Sequence, residues 1–320
     1  MISISLCMIV KNEEEVLARC LENVKETVDE IIIVDTGSKD KTKEIAFKYT
    51  DKVFDFKWRD DFSKARNYSF SKAESDYILW LDADDVLMYK DKEKLKNLKE
   101  TINKNLDVIM MKYNTSFDEN GNVTFSYYRE RLIKNIKKDL WKGFIHEAIS
   151  PFGNVFYSDI AVTHMKIRES DKDRNIEIFE KHIKKGETLS KREQFYYSRE
   201  LFYHERYNEA IDNFNKFLNM KDIFLENRID AYRLLSYCHK KTGNPTKEIQ
   251  ILFESFIYDT PRAEVCCDIG NYFLTKNNID IAVYWYKRAL ECERKDEKGG
   301  FISQDCYGYI PLIQLCVCYD

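Results

Sequence analysis

The run YILWLDADD, Tyr77 to Asp85, constrains this chain more than any other segment, because a stretch fit only for a buried strand breaks off into three carboxylates. Five apolar residues place the strand in a core, while Asp82, Asp84 and Asp85 gather negative charge at its carboxyl end, where open α/β sheets hold their ligands. Charge crowded in that way calls for a cation. In an extended backbone, side chains two apart share a face, so Asp82 and Asp84 are expected to address one ligand assembly while Asp85 turns away or opens the next loop. The competing expectation is a helix N-cap at Asp84 or Asp85, since LMYKDKEKLKNLKETI follows with acceptable helix chemistry.

The rest of the first ~165 residues alternates apolar runs with helical stretches, the rhythm of a parallel sheet. ISLCMIV, EIIIVD, KVFDF, YILWLD and DVIMMKY are the candidate strands. Val16, Leu17, Cys20, Leu21 and Val24 recur at helical spacing between the first two, and DKTKEIAFKYT behaves alike after the second, so two right-handed crossover units open the fold. From Tyr113 the texture changes, and Asn120-Gly121 between alternating segments predicts a hairpin that extends the sheet. After about Ile167 the strands vanish and apolar residues recur every three or four positions in charged helices. Setting Ala210, Glu248 and Ala282 in register gives a spacing near that of a tetratricopeptide repeat, a helix pair that must stack on its neighbours to bury its apolar face. The expected division is an α/β domain over 1–167 and a helical repeat domain over 168–320, cut short at its C-terminus, where PLIQLCVCYD stops inside an apolar helical pattern.

Composition removes several classes of function. The 51 basic and 55 acidic side chains nearly balance, leaving no global field to collect nucleic acid. No apolar run approaches the roughly 20 residues that span a bilayer, and MISISLCMIV reads as a first strand, not a leader. Nine cysteines, odd in number and without zinc spacing, fit thiols buried in a reducing cytoplasm. Neither G-x-x-x-x-G-K-[ST] nor G-x-G-x-x-G is present, so a nucleotide must be held by other groups. Asp35 is one such group: at the end of a second buried strand it can accept from a ribose hydroxyl or the uracil ring N–H, or else cap the following turn.

Four segments in this order, SLCMIVKNEEEVL, IIIVDTGSKDKT, FSKARN and LWLDADD, resemble the motifs of the bacterial family-two glycosyltransferases of GT-A fold that carry a tetratricopeptide tail, near the sublancin-type peptide glycosyltransferases. The resemblance spans Ile2 to Lys166 and, more loosely, the helical tail. It implies a mixed, Rossmann-like sheet and a metal-dependent, inverting transferase that moves sugar from a UDP-sugar donor to a peptide, protein or glycan acceptor. On that resemblance Val10, Lys11, Asn12 and Glu14 frame the nucleotide base, Asp35 contacts the uracil ring, and Arg66 reaches the base or diphosphate. Asp82 meets the ribose or a positioning arginine, and Asp84 ligates the metal. In WKGFIHEAIS, Glu147 matches the acidic base at the start of a helix beneath the acceptor, with His146 orienting it; Asp85 is the second candidate. His164 resembles the distant histidine that completes the metal site. Its imidazole favours Mn²⁺ somewhat over Mg²⁺. The alternative for Arg66 is a surface pairing with Asp60 or Asp61, and that for Glu147 a first-turn helix acid. The helical repeats are expected to hold a partner or form a homodimer. A repeat scaffold with a retired transferase domain and a sugar nucleotidyltransferase are the competing functions.

Overall fold

A computed structural model describes residues 1–167, 171–295 and 299–320. The chain divides into two compact units, Met1–Lys172 and Asp173–Asp320. The boundary expected at residues 167/168 adjoins 168–170, which lie outside the described residues.

In the first unit, β1 (Ile4–Val10), α1 (Leu17–Val24), β2 (Glu30–Asp35), α2 (Thr42–Ala46), β3 (Val53–Asp55), α3 (Phe62–Ser71) and β4 (Tyr77–Trp80) lay down four parallel strands in the order β3-β2-β1-β4. There follow β5 (Asp85–Leu87), α4 (Tyr89–Thr101), β6 (Val108–Phe117), β7 (Val123–Lys134), β8 (Trp141–Lys142), β9 (Ala148–Ile149) and β10 (Val155–His164). β7 joins β4 antiparallel, β6 pairs antiparallel with β7, β10 runs parallel to β6, and β5 closes the edge antiparallel to β10. The β6–β7 hairpin turns at Asn120-Gly121, with Gly121 at φ 79° and Asp118 accepting from the amides of Asn120 and Asn122. Apolar side chains cover both faces of the parallel core: Leu17, Cys20, Leu21 and Val24 of α1 pack on one, Phe70 and Trp141 on the other. Burial on both faces is why β1, β2 and β4 read as continuous apolar runs.

One geometric expectation fails. The strand carrying the acidic run ends at Trp80, so Asp82 and Asp84 sit in the turn to β5, where two-residue alternation does not govern direction. Neither Asp84 nor Asp85 caps a helix: α4 begins at Tyr89, four residues past Asp85, after Met88.

The second unit is helical: α5 (Arg174–Lys184), α6 (Lys191–Tyr203), α7 (Tyr207–Leu218), α8 (Leu225–Lys241), α9 (Pro245–Glu254), α10 (Ala263–Thr275), α11 (Ile279–Leu290) and α12 (Tyr309–Tyr319). The pairs α6–α7, α8–α9 and α10–α11 form three successive hairpins of tetratricopeptide kind, each with a three-residue turn. Ala210 and Ala282 are wholly buried in the second helices, at the positions where a small residue lets the pair close. Glu248 occupies the same register in α9 and is also buried. All nine cysteines are free thiols. Among the described residues, no helix is long and apolar enough to cross a membrane.

Candidate active site

The loops after β1 and β2 are laced together by side chains that the resemblance assigns to the nucleotide base. Asn12, held at φ 57°, donates its amide N–H to Ser38 Oγ and accepts from Lys39 N–H. Glu14 accepts from Lys41 N–H and donates its own amide to Asp40. Val10 pairs with Asp35 in register, and its carbonyl takes both the amide and the hydroxyl of Thr36. Lys11 is exposed beside them. Asn12 and Glu14 therefore fix the shape of this corner through their side chains.

Asp35, 2% exposed, takes the turn-capping role. Its Oδ1 accepts from the amides of Gly37 and Ser38, each at 2.9 Å, which forms the turn. Its buried Oδ2 has no hydrogen-bond partner. A buried acceptor left over is costly by about 1–3 kcal/mol unless a donor arrives, so this oxygen is preset for an N–H or O–H from a ligand.

Arg66 lies on the inner face of α3, four residues from Phe70 on the side that packs against Trp141. Its Nη2 donates to Asp82 Oδ1 at 2.8 Å and its Nε to Glu147 Oε1 at 2.6 Å, while the guanidinium rests 4.9 Å from the Trp80 ring and 4.8 Å from the Trp141 ring. The surface pairing with Asp60 or Asp61 does not form: Asp61 instead caps α3 and pairs with Lys64. Burial alone would raise the Asp82 carboxyl, but Arg66, then Arg131 and Arg129, outweigh it and hold the group down at about 2. Asp82 is thus a carboxylate neutralised by protein.

The other two acids turn toward β10. Because β5 pairs with β10, Asp85 stands opposite His164 in the ladder. His164 Nδ1 lies 3.3 Å from Asp84 Oδ1, 3.4 Å from Asp85 Oδ1 and 2.9 Å from the Tyr113 hydroxyl. Hydrogen bonds to Asp84 and then Asp85 push the imidazole up to about 10 against the opposing effect of burial. One ligand atom from each of Asp84, Asp85 and His164 falls within a 4.8 Å span, and two carboxylates with an imidazole suit Mn²⁺ or Mg²⁺. The three are not equivalent. Asp85 is 0% exposed and bound by Arg131 at 3.0 Å, by the Tyr113 hydroxyl at 2.9 Å and by the Asp82 amide, which leaves Asp84 and His164 as the partly open pair. In that setting Asp85 is not open to an acceptor hydroxyl.

Glu147 and His146 do not start a helix. They lie in the turn between β8 and β9, where Gly143 at φ 91° and His146 at φ 49° adopt left-handed backbone that a helix forbids. Asn67, next to Arg66, grips this hairpin by accepting from the Trp141 amide and donating to the Trp141 carbonyl. The same α3 turn therefore sets both the arginine and the loop that carries Glu147.

Sequence reasoning missed Asn67, Tyr113, Arg129, Glu130 and Arg131. Arg131 is wholly buried, with its guanidinium 3.8 Å from the Trp80 ring and its Nη1 donating to the Trp80 carbonyl. Arg129 pairs with Glu130 at 3.0 Å, and Glu130 also accepts from Ile149 N–H. The available signal was RER within an otherwise half-apolar strand, since charges cannot sit on a covered sheet face without partners.

A parallel core with acids at its carboxyl edge, extended by antiparallel strands and followed by helical repeats, defines a domain of GT-A fold with a helical tail. Residues 5–160, nearly the whole α/β unit, match the family model Glycosyl transferase family 2. The chain is 28% identical over 248 residues to the SPbeta prophage-derived glycosyltransferase SunS of Bacillus subtilis, covering 73% of this chain and 58% of SunS. It is 51% identical over 88 residues to a TPR repeat-containing protein of Synechococcus elongatus, covering 28% of this chain and 22% of that protein. It thus spans well under two thirds of the length of these relatives. S. aureus TarS, solved in complex with UDP-GlcNAc, superimposes with a TM-score of 0.42 at 14% identity over 92% of this chain and 93% of that one.

Proposed function

We propose that the chain is a metal-dependent, inverting glycosyltransferase that takes sugar from a UDP-sugar and delivers it to a peptide, protein or glycan acceptor, with residues 1–167 as the transferase domain and 168–320 as the repeat domain. The observation that carries this reading is the gathering of Asp84, Asp85 and His164 at the sheet edge that also presents the unsatisfied oxygen of Asp35.

In this reading Asp35 Oδ2 accepts the uracil N–H, framed by Val10, Lys11, Asn12 and Glu14. Asp84 and His164 would hold Mn²⁺ or Mg²⁺, which when bound neutralises the leaving diphosphate. Asp82 turns toward the donor ribose while Arg66 keeps it ionised and oriented. Of the two base candidates, Glu147 is the better placed. Both oxygens of wholly buried Asp85 are taken by Arg131, the Asp82 amide and the Tyr113 hydroxyl, whereas Glu147, on a hairpin turn and 11% exposed, pairs with Arg66 through Oε1, with His146 preceding it. With Glu147 taking its proton, the acceptor would attack the anomeric carbon on the face away from the nucleotide, so that the new bond forms as the C–O bond to the departing UDP breaks and the configuration inverts. Free thiols throughout, and no spanning helix among the described residues, support a cytoplasmic setting.

The test is UDP release from a panel of UDP-sugars with Mn²⁺, alongside calorimetric UDP binding. Slow metal-dependent hydrolysis without acceptor is expected. Glu147→Gln keeps UDP binding and loses transfer. Silence across the panel with no UDP binding refutes the reading, and pyrophosphate release from UTP and a sugar phosphate would replace it with nucleotidyl transfer.

A further inference from the structure

The turn that joins β4 to β5 carries Asp82, Asp84 and Asp85 within four residues, and three carboxylates so close repel one another. Two bonds inside the turn hold it closed. The Asp85 amide donates to the Asp82 carbonyl at 3.0 Å, and the Asp82 amide donates to Asp85 Oδ2 at 3.0 Å. Neither bond reaches Asp84. The backbone that presents this residue is fixed from outside the turn, by one side of α1.

Arg19, Cys20 and Asn23 are spaced to share a side of that helix, and they hold successive points of the acidic segment. The Cys20 thiol donates to the Asp82 carbonyl at 3.6 Å. Asn23 accepts from the Leu87 amide at 2.8 Å and donates to the Leu87 carbonyl at 3.0 Å, so that its side chain pairs with β5 as a neighbouring strand would. Arg19 spans two segments. Its Nη2 donates to the Met165 carbonyl at 2.6 Å and, more loosely, to the Asp84 carbonyl at 3.4 Å. The Met165 amide donates to that same Asp84 carbonyl at 2.9 Å. Met165 directly follows His164, so the guanidinium ties together the backbones that carry the two partly open groups of the site.

Electrostatics alone argues against an arginine here. A guanidinium beside the backbone of a metal ligand repels a divalent cation, and the Arg19 Nε is buried without a hydrogen-bond partner, which adds a desolvation cost. What the geometry sets against both effects is a fixed spacing of Asp84 and His164.

We propose that Arg19 is a positioning residue for the metal site: it clasps the Asp84 and Met165 carbonyls and so presets the Asp84 carboxylate and the His164 imidazole within reach of one ion. The proposal rests on the metal-dependent reading above. Arg19 acts through the backbone of the two ligands, as the outer shell of a metal site does. The sign of its effect identifies the role: as a charge it weakens cation binding, and as a clasp it strengthens it.

The probe is Mn²⁺, titrated into the UDP-loaded protein and read from the electron paramagnetic resonance of the free ion against a blank of UDP alone. Arg19→Gln, which removes the charge and keeps a good helix former, is expected to weaken Mn²⁺ binding by about tenfold or more. Arg19→Lys, which keeps the charge without the planar fork, is expected to fall between that variant and wild type. In the metal-free protein, Arg19→Gln is expected to speed hydrogen exchange at the Met165 amide while the thermal midpoint by circular dichroism stays at the wild-type value. A general loss of packing would move both. Should Arg19→Gln melt early, Arg19→Lys carries the test, and wild-type Mn²⁺ affinity in that variant overturns the clasp. Binding by folded Arg19→Gln that equals or exceeds wild type's overturns it too and leaves the metal reading standing. Absence of Mn²⁺ uptake by the wild-type protein removes the metal reading and the clasp with it.

Discussion

At the residue scale, the site separates into acids neutralised by protein and acids left partly open. Asp82 and Asp85 are answered by Arg66 and Arg131, whereas the Asp84 carboxylate pairs with the His164 imidazole and Arg19 donates only to the Asp84 backbone carbonyl. Replacing Asp84 by alanine should abolish Mn²⁺-dependent UDP binding by calorimetry while leaving the fold intact, since its side chain keeps solvent access. Arg131→Met is expected to do the opposite. It strands the Asp85 carboxylate in the core, and the loss should reach about 3–5 kcal/mol in urea denaturation. Tyr113→Phe removes one hydroxyl that bonds both Asp85 and His164; a stability cost of about 1 kcal/mol is expected, with a larger proportional fall in Mn²⁺ affinity because the histidine loses its orienting contact.

At the element scale, short irregular pieces decide the chemistry. β5 is three residues long, yet its pairing with β10 carries Asp85 to His164; the β8–β9 turn carries Glu147 to Arg66. In the helical unit the informative departure is Glu248, a carboxylate where the other two hairpins place alanine. Burial, only partly relieved by Lys240 at 3.9 Å, raises its carboxyl above the usual range. An acid whose pKa is raised by folding costs nothing below its unfolded value; the cost grows as the pH rises from that value through the folded one and is complete above it. Glu248→Gln is therefore expected to raise the thermal midpoint at pH 7 and to leave it nearly unchanged near pH 4, measured by circular dichroism.

At the scale of the whole molecule, each unit buries its own core, and the residues of the proposed nucleotide site all lie in the first. UDP with Mn²⁺ at a hundred times its Kd is expected to add about 2.7 kcal/mol to the unit that binds it. Hydrogen exchange checks the location: protection should appear in residues 10–14, 35–42 and 82–85, and protection confined to the helical unit would contradict the site.

The periodicity of apolar residues was enough to read the parallel strands, the crossover helices, the hairpin at Asn120-Gly121 and the helical second half, because those patterns are local consequences of burial. Asp35, Asp82 and Asp84 were legible as candidates because polar groups at the ends of apolar strands need a reason to be there, and Arg66, Glu147 and His164 through the resemblance of their segments to the motifs of family-two glycosyltransferases. Which of them touch was not legible. The joining of Asp84 and Asp85 to His164, and of Arg66 to both Asp82 and Glu147, depends on strand pairings and a hairpin turn between segments up to 81 residues apart. Arg131 and Tyr113 stayed hidden for the same reason: a charged or polar residue inside a strand pattern looks like surface until the sheet's far side is seen to be covered. Sequence by itself determined the elements and the kinds of group at their ends; tertiary structure alone decided the partners, because charge neutralisation in a low-dielectric interior is set by distance in space and not along the chain.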